Sequence, residues 1–432
     1  MKSFANYIRF ACFPLIAAAC SLASAEDWPT YMHDNQRSGI TAESLVLQDL
    51  QERWVYTSPS PPQTAWGGPA PWDAYAGIIG LAPMRNFDPA FFVTAVGDVV
   101  YFGSSADNSV YSLDAVTGLA IWSFLTAGSV RFPPAISGGK AYFGSDDGYA
   151  YCVNATNGSL MWRYRPSPSD RLIPSNGKFI SVWPVRTGVL VQDGKAYFAA
   201  SLLPWRESYL CAVDAATGSN SGPGLYKATH AQSTMQAALL ASPTKLYVSH
   251  GRRHPHVYNR SDGSHLGAFG ETGDGGVYAL LTADSHYLEG RGQNHDSGGE
   301  VREHNADSRD HIATFRGGNG MVVSGNTAYV LKNDSLSAID RTTPGQLWSV
   351  SFNYPYSLIL AGNVLFAGGD GEVAAVSTAN GATLWTGTVM GKAYGLAVAN
   401  GRLFVSTDRG TIYCFSTRAD LTSTGDWWKL FR

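Results

Sequence analysis

Nine residues at matching points of a repeated sequence carry side chains suited to holding a ligand: Arg131, Trp183, Arg186, Gln236, Tyr278, Asn319, Tyr356, Lys392 and Tyr394. Flat aromatic rings stack on a planar molecule, and cationic groups pair with its carboxylates. The set contains no Asp or Glu, so no general base can be nominated from it. The plainer reading is a narrow funnel in which these residues are satisfied around water.

Other reactive groups point to less. His250, Arg252, Arg253, His254 and His256 form a local cluster, with His254 and His256 flanking Pro255. Alternate residues of a strand share a face, so two imidazole ligands to zinc are conceivable. No third ligand stands nearby and two arginines repel a cation, so the segment reads better as a solvated, anion-binding loop. His295 with Asp296, and the run Glu300 to Asp310, read as a polar, degraded repeat. The glycines of Gly317-Gly318-Asn319-Gly320 and Gly273 to Gly276 precede no helix, so they are turn glycines and not phosphate loops. There is no nucleophile-elbow pattern and no Cys-x-x-Cys-His haem site.

The elements that must position these residues are repeats. Gly97 to Trp122 contains a strand, a turn, a second strand ending in Asp114, a turn closed by Gly118, and a strand ending in Trp122. The pattern recurs from Gly138 to Trp162, Gly325 to Trp348 and Gly362 to Trp385. Aligned on an aromatic in the second strand, it appears at Tyr101, Tyr142, Tyr197, Tyr247, Tyr287, Tyr329, Phe366 and Phe404. The spacings are 41, 55, 50, 40, 42, 37 and 38 residues, the period of a four-stranded propeller blade. Such a unit cannot bury its apolar faces alone and must stack on copies of itself. The expected fold is all-β: an eight-bladed propeller of four-stranded antiparallel blades. Phe269 and Phe315 are expected to replace the outer-strand Trp in weaker repeats. The eighth unit lacks an outer strand, and Glu52-Arg53-Trp54-Val55-Tyr56 has the pattern of one. An N-terminal strand is therefore expected to close the ring and remove its open edges. The expected segments are a signal peptide (1–25), a leader (26–51), the propeller (52–418) and a tail (419–432) docked outside the ring through Trp427 and Trp428.

Strand alternation puts the short first-to-second and third-to-fourth turns on one face. The insertions Thr57 to Asp88, Arg163 to Val182, Leu202 to Ser208, His250 to His256 and Glu289 to Gly299 all fall on the other. Functional loops on rigid scaffolds gather in this way, so the binding face is expected there, for a protein, small-molecule or saccharide partner. Trp66, Trp72, Tyr75 and Trp205 would be the stacking residues of a saccharide site.

Composition agrees with a repeat of short strands: the 432 residues include 47 Gly, 12% aromatic and only 15% charged residues. Net charge is −3, and removing residues 1–25 takes away Lys2 and Arg9 and no acid, leaving −5. That balance argues against a nucleic-acid partner. Lys2 and Arg9, the apolar run Ala11 to Leu22 and Ala23-Ser24-Ala25 have the order of an export signal, so a periplasmic or extracellular location is expected. Ala17-Ala18-Ala19-Cys20 is the weaker alternative, a lipid anchor. No other stretch is apolar for long enough to span a bilayer. Three cysteines remain beyond residue 25, an odd number that argues against a full disulfide framework. Cys152 and Cys414 fall where other repeats have Ser112, Ala212, Ala338 and Ala375, so small size is the shared property. Cys211 is one residue out of phase.

The Tyr strand, Gly-Asp turn, Tyr–Cys/Ser strand, Asp-x-x-Thr/Asn-Gly and Leu-Trp resemble the PQQ-like repeat of quinoprotein propellers over about residues 50–418. The likeness is strong in units one, two, six, seven and eight and degraded in units three to five. Asp27-Trp28-Pro29-Thr30-Tyr31 with Asn35-Gln36-Arg37-Ser38-Gly39 is similar to the leader of exported bacterial members. The resemblance implies either of two roles. One is a dehydrogenase with PQQ, a planar tricarboxylate, and Ca²⁺ at the channel mouth. Its cofactor residues would be Arg131, Trp183, Arg186, Tyr278, Tyr356, Lys392 and Tyr394. The other is a non-catalytic scaffold, like the lipoprotein that helps assemble outer-membrane barrels. The sequence lacks the adjacent Cys-Cys pair common in the enzymes and is shorter than they are, which favours the scaffold.

Overall fold

A computed structural model of the chain describes residues 25–66, 87–251, 253–270, 276–290, 299–343 and 345–417. The expected export signal, Cys20, Trp72, Tyr75, Arg252, His295 and the C-terminal tail lie outside the described residues. No helix occurs among the described residues. Eight four-stranded antiparallel blades follow one another in chain order. The first is Val93–Val96, Val99–Gly103, Ser109–Asp114 and Ala120–Leu125. The seventh and eighth share one long strand, Thr383–Ala399, which is outermost in one blade and innermost in the next. The last blade takes its fourth strand from the N-terminus: Gln51–Thr57 pairs antiparallel with Thr411–Ser416, Trp54 lying opposite Cys414. The ring is closed as the sequence implies.

Local chemistry explains the blade. The inner hairpins turn on Gly138-Gly139, Asp193-Gly194 and Asn400-Gly401, where both residues have positive φ. A two-residue turn matched to strand twist demands that conformation. In six blades the second-strand aromatic faces a small residue, as Tyr101 opposite Ser112, Tyr142 opposite Cys152, Phe366 opposite Ala375 and Phe404 opposite Cys414, whereas Tyr247 faces Val257 and Tyr287 faces His304. Cys211 instead faces Phe198. Cys152, Cys211 and Cys414 are buried. Burial pushes the Cys152 thiol up to about 12, which suits packing and not reactivity.

Blades are latched to one another by tryptophan. In the first blade Asp114 accepts the amides of Val116 and Thr117 at 3.0 and 2.8 Å, and Gly118 has φ +71°. A Cβ on Gly118 would lie 2.6 Å from the Trp54 ring of the eighth blade. The Trp54 indole N–H donates to Ala115 O at 2.9 Å. Trp122, Trp162 and Trp348 repeat the contact on Ala155, Ala215 and Thr378 of the following blades. In the third blade Tyr226 takes this place, beside Gly263. Phe269 is buried with its ring 4.3 Å from that of Tyr287 in blade five. Phe315 packs, half-buried, on the sixth blade's core.

The leader does more than precede the ring. It crosses the channel at the short-turn face and binds the inner edges of the blades. Trp28 exchanges backbone bonds with Ala95 of blade one, and Pro29 O accepts Ile136 N–H of blade two. Asn35 reaches Val191 O of blade three and Ala241 N of blade four, and Gln36 O accepts Leu281 N–H of blade five. Ile40–Thr41 adds as a parallel strand to the inner edge of blade seven. Glu43 and Glu26 O bind the Asn400 amide of blade eight. Arg37, 3% exposed, anchors the crossing by donating to Leu239 O, Thr30 Oγ1, Tyr31 O and Asp34 O, each at 2.9 Å.

Candidate functional site

The nine channel-mouth residues divide into two groups. On the side of blades two to four the mouth is sealed by charge. Asp146, in the second-to-third turn of blade two, is fully buried between two guanidiniums. Arg186 holds it bidentately at 2.7 and 2.9 Å, and Arg131 Nε donates to it at 2.9 Å. Arg131 also pairs with Asp88, itself 1% exposed. Against the desolvation cost, the two arginines hold the Asp146 carboxyl well below the usual range. The four charges cancel. Trp66 covers the group, with the Arg186 guanidinium 5.3 Å from its ring centre and its own N–H on Gln236 at 3.1 Å. Trp183 lies apart, buried in the seam of blades two and three, with its N–H on Glu207 O at 2.8 Å.

On the side of blades five to eight the predicted residues enclose open space. Tyr278, Asn319, Tyr356 and Tyr394 line a cavity of about 130 Å³ on the channel axis. Its floor is the leader, through Trp28, Tyr31 and Met32, and Phe87, Phe92 and Phe132 complete the wall. The Tyr278 hydroxyl is committed to both backbone groups of Met321. Asn319 donates to Asn333 at 2.7 Å. Tyr356 and Tyr394 pack at 4.9 Å between ring centres, and the Lys392 ammonium sits 5.3 Å from the Tyr356 ring centre at the rim. None of the described residues lining the cavity is charged.

Asp88, Asp146 and the leader aromatics were not read from the sequence as parts of this region. Two arginines entering neighbouring inner strands, with an Asp in the intervening Ser145-Asp146-Asp147-Gly148 turn, were the available signal.

The histidine segment folds into a stack. Rings of His250 and His256 are 4.3 Å apart, those of His254 and His256 5.2 Å, and those of His256 and His265 4.8 Å. His230 of blade three approaches Tyr258 at 4.7 Å. Rings stacked face to face do not aim their nitrogens at one point, and among the described residues no three His, Cys, Asp or Glu side chains could hold a metal ion. Both nitrogens of the fully buried His250 lack a hydrogen-bond partner. Burial, then the neighbouring His265, His254 and Arg253, push His256 down to about 4, and His250 falls well below its ordinary value.

The sequence matches the family described as outer membrane protein assembly factor BamB over residues 72–272, 291–387 and 369–420. The chain belongs to that family. No curated protein matches the sequence. Among solved structures, it is similar to a europium-containing methanol dehydrogenase, at 12% identity and TM-score 0.65, covering 90% of this chain and 98% of the other. A quinohemoprotein alcohol dehydrogenase from Comamonas testosteroni gives 15% identity and TM-score 0.63 over 90% and 80% of the two chains. A computationally designed protein, Ika8, gives 12% and 0.59 over 76% and 96%. Likeness at that identity establishes the propeller and nothing of the chemistry.

This family member's channel suits a quinone tricarboxylate poorly. PQQ would need cations free to meet its carboxylates. Arg131 and Arg186 are already neutralised by buried acids, and the cavity wall offers rings and hydroxyls instead. Of the saccharide candidates, Trp66 is engaged beneath Arg186, whereas Trp205 is 74% exposed. Among the described residues no helix is long and apolar enough to cross a membrane.

Proposed function

We propose that this protein is an exported, non-catalytic scaffold whose long-loop face holds a polypeptide of the outer-membrane assembly process. The observation that supports this most is the hairpin Leu172–Ser175 and Lys178–Ser181, inserted between blades two and three. Lys178 fixes it to the first blade by donating to Ser105 O at 2.6 Å, Ala106 O at 2.9 Å and Asn108 Oδ1 at 2.8 Å. Ile180 is buried beneath it, while Leu172 and Phe179 stand 53% and 68% exposed. Trp205, on the next loop of the same face, adds a third outward apolar side chain. Exposed apolar groups on a rigidly tethered element lose little entropy on docking and favour a protein surface. The family description supplies the kind of partner.

A photoreactive residue at Phe179, compared with one at Asn157 on the short-turn face, tests the reading in intact cells. The expected result is a discrete adduct with an outer-membrane assembly component from position 179 only, lost on Leu172→Asp. Equal labelling from both positions, or a purified protein that takes up PQQ with Ca²⁺ and reduces an electron acceptor when given an alcohol, overturns it.

A further inference from the structure

We propose that the cavity on the channel axis is a binding site for an uncharged, ring-bearing small molecule, distinct in chemistry from the anionic quinone PQQ. Three observations carry this. The first is charge. The described lining holds no ionised side chain; Arg131 and Arg186 are spent on Asp88 and Asp146, Arg37 on carbonyls within the leader and at Leu239, and Lys392 stands outside the lining, at the rim, over the face of Tyr356. An anion inside the lining would lose its hydration and find no countercharge nearer than the rim ammonium of Lys392. A neutral molecule bears no such cost.

The second is the wall itself. Ring-bearing residues meet the space from opposite sides: Trp28 and Tyr31 from the leader, Phe92 and Phe132 from blades one and two, Tyr356 and Tyr394 from blades seven and eight. Rings of a guest find edges and faces to pack against in every direction. Apolar enclosures hold water weakly, so a guest that fills this one displaces little that is well bound. The hydroxyls of Tyr356 and Tyr394 make no hydrogen bond to the described residues, which leaves polar groups to orient a carbonyl or hydroxyl.

The third is Gly320, at the start of the inner strand Gly320–Ser324. A Cβ built there would meet only Tyr278, at 3.9 Å, an ordinary contact. Its φ is not in the left-handed region, so the backbone does not require glycine. A side chain at this position would project toward the cavity, and the sequence leaves that volume open.

The test uses tag-free full-length protein and N-phenyl-1-naphthylamine, an uncharged dye that fluoresces in apolar surroundings. The expected result is saturable binding at a single site, displaced by 1-naphthol and not by PQQ. Gly320→Leu should weaken it by about tenfold or more and Gly320→Ala by less, as added carbons occupy the guest's space. Far-ultraviolet circular dichroism and the melting midpoint of Gly320→Ala establish that the graded loss does not come from unfolding. Phe179→Asp should leave dye binding unchanged, which separates this site from the exposed hairpin and makes the outcome independent of the scaffold reading. The proposal fails if Gly320→Leu, still folded, binds the dye like the parent, if Phe179→Asp removes the binding, or if PQQ competes as well as 1-naphthol.

Discussion

His250 shuts both imidazole nitrogens inside the seam between blades three and four, with no acceptor or donor within reach. Half of the chain's 10 histidines gather there: His230, His250, His254, His256 and His265. The charged groups that shift His250 and His256 are more imidazoles and Arg253, all cationic when ionised. A proton added to the stack therefore meets repulsion and a desolvation cost. The sign follows from linkage. These imidazoles bind protons more weakly folded than unfolded, so the unfolded chain is favoured as pH falls below the ordinary value of 6.5 toward about 4. The melting midpoint should fall steeply across that window, and His250→Asn with His256→Asn should flatten the fall. An unchanged profile in the double variant would show that other groups govern acid sensitivity. At this scale the sequence was partly legible. Strand phase led Tyr278, Asn319, Tyr356 and Tyr394 to one cavity, because a period of two fixes which face a residue takes. It did not reveal that Asp146 neutralises Arg186, because the carboxylate comes from a turn, 40 residues away in the chain. It brought the clustered histidines into view but not their stacking across two strands, nor the approach of His265 from a third.

The outer strand of each blade carries the element that turns separate sheets into a ring. In four blades an indole, that of Trp54, Trp122, Trp162 or Trp348, lies on the next blade's third-to-fourth turn, where Gly118, Gly158, Gly218 and Gly381 leave room that any Cβ would take, while Trp385 donates to Leu50 O. Those repeats were readable because Trp and Gly recur at fixed distance. Blade three was not, because Tyr226 serves there after a longer Ser-Gly-Pro-Gly connection. Trp54 differs from its counterparts in one respect: it joins the two ends of the sheet circuit. Removing a buried indole costs about 3–5 kcal/mol from lost packing and cavity formation. Trp54→Ala should lose that stability in chemical denaturation. It should also release Gln51–Thr57 from its partner strand, which hydrogen exchange would register as faster exchange in Thr411–Ser416. Trp162→Ala should lose similar stability while leaving those amides protected. Equal exchange in the two variants would mean that the eighth blade does not depend on the Trp54 latch.

At the scale of the whole molecule the leader ties the ring together from inside. Repeat counting gave the blades and their closure, but it gave the leader no place. Its contacts are backbone bonds to six blades and an Asn35 side-chain bond to a seventh, and backbone bonds leave no periodic trace in side-chain pattern. An inner strand has one edge facing the channel, and each unpaired amide there would otherwise need water. The crossing is held by Arg37, whose guanidinium is lowered to about 10 by burial because it faces carbonyls and a hydroxyl more closely than any carboxylate. Arg37→Met keeps much of the volume and removes the donors, leaving four acceptors short of a partner. Charge-assisted hydrogen bonds of this kind contribute about 1.5–3 kcal/mol each, and their losses are not additive. The expected consequence is spread widely: Ala95, Ile136, Ala241, Leu281 and Leu360, which bond to leader carbonyls, should exchange their amide hydrogens faster together. Outer-strand amides should keep their protection, because their partners lie within the blades. If Arg37→Met instead loosens only residues near the substitution, the leader is a bystander laid over a ring already rigid. If the five inner strands respond as one, the floor of the axial cavity and the coherence of the ring have the same physical origin.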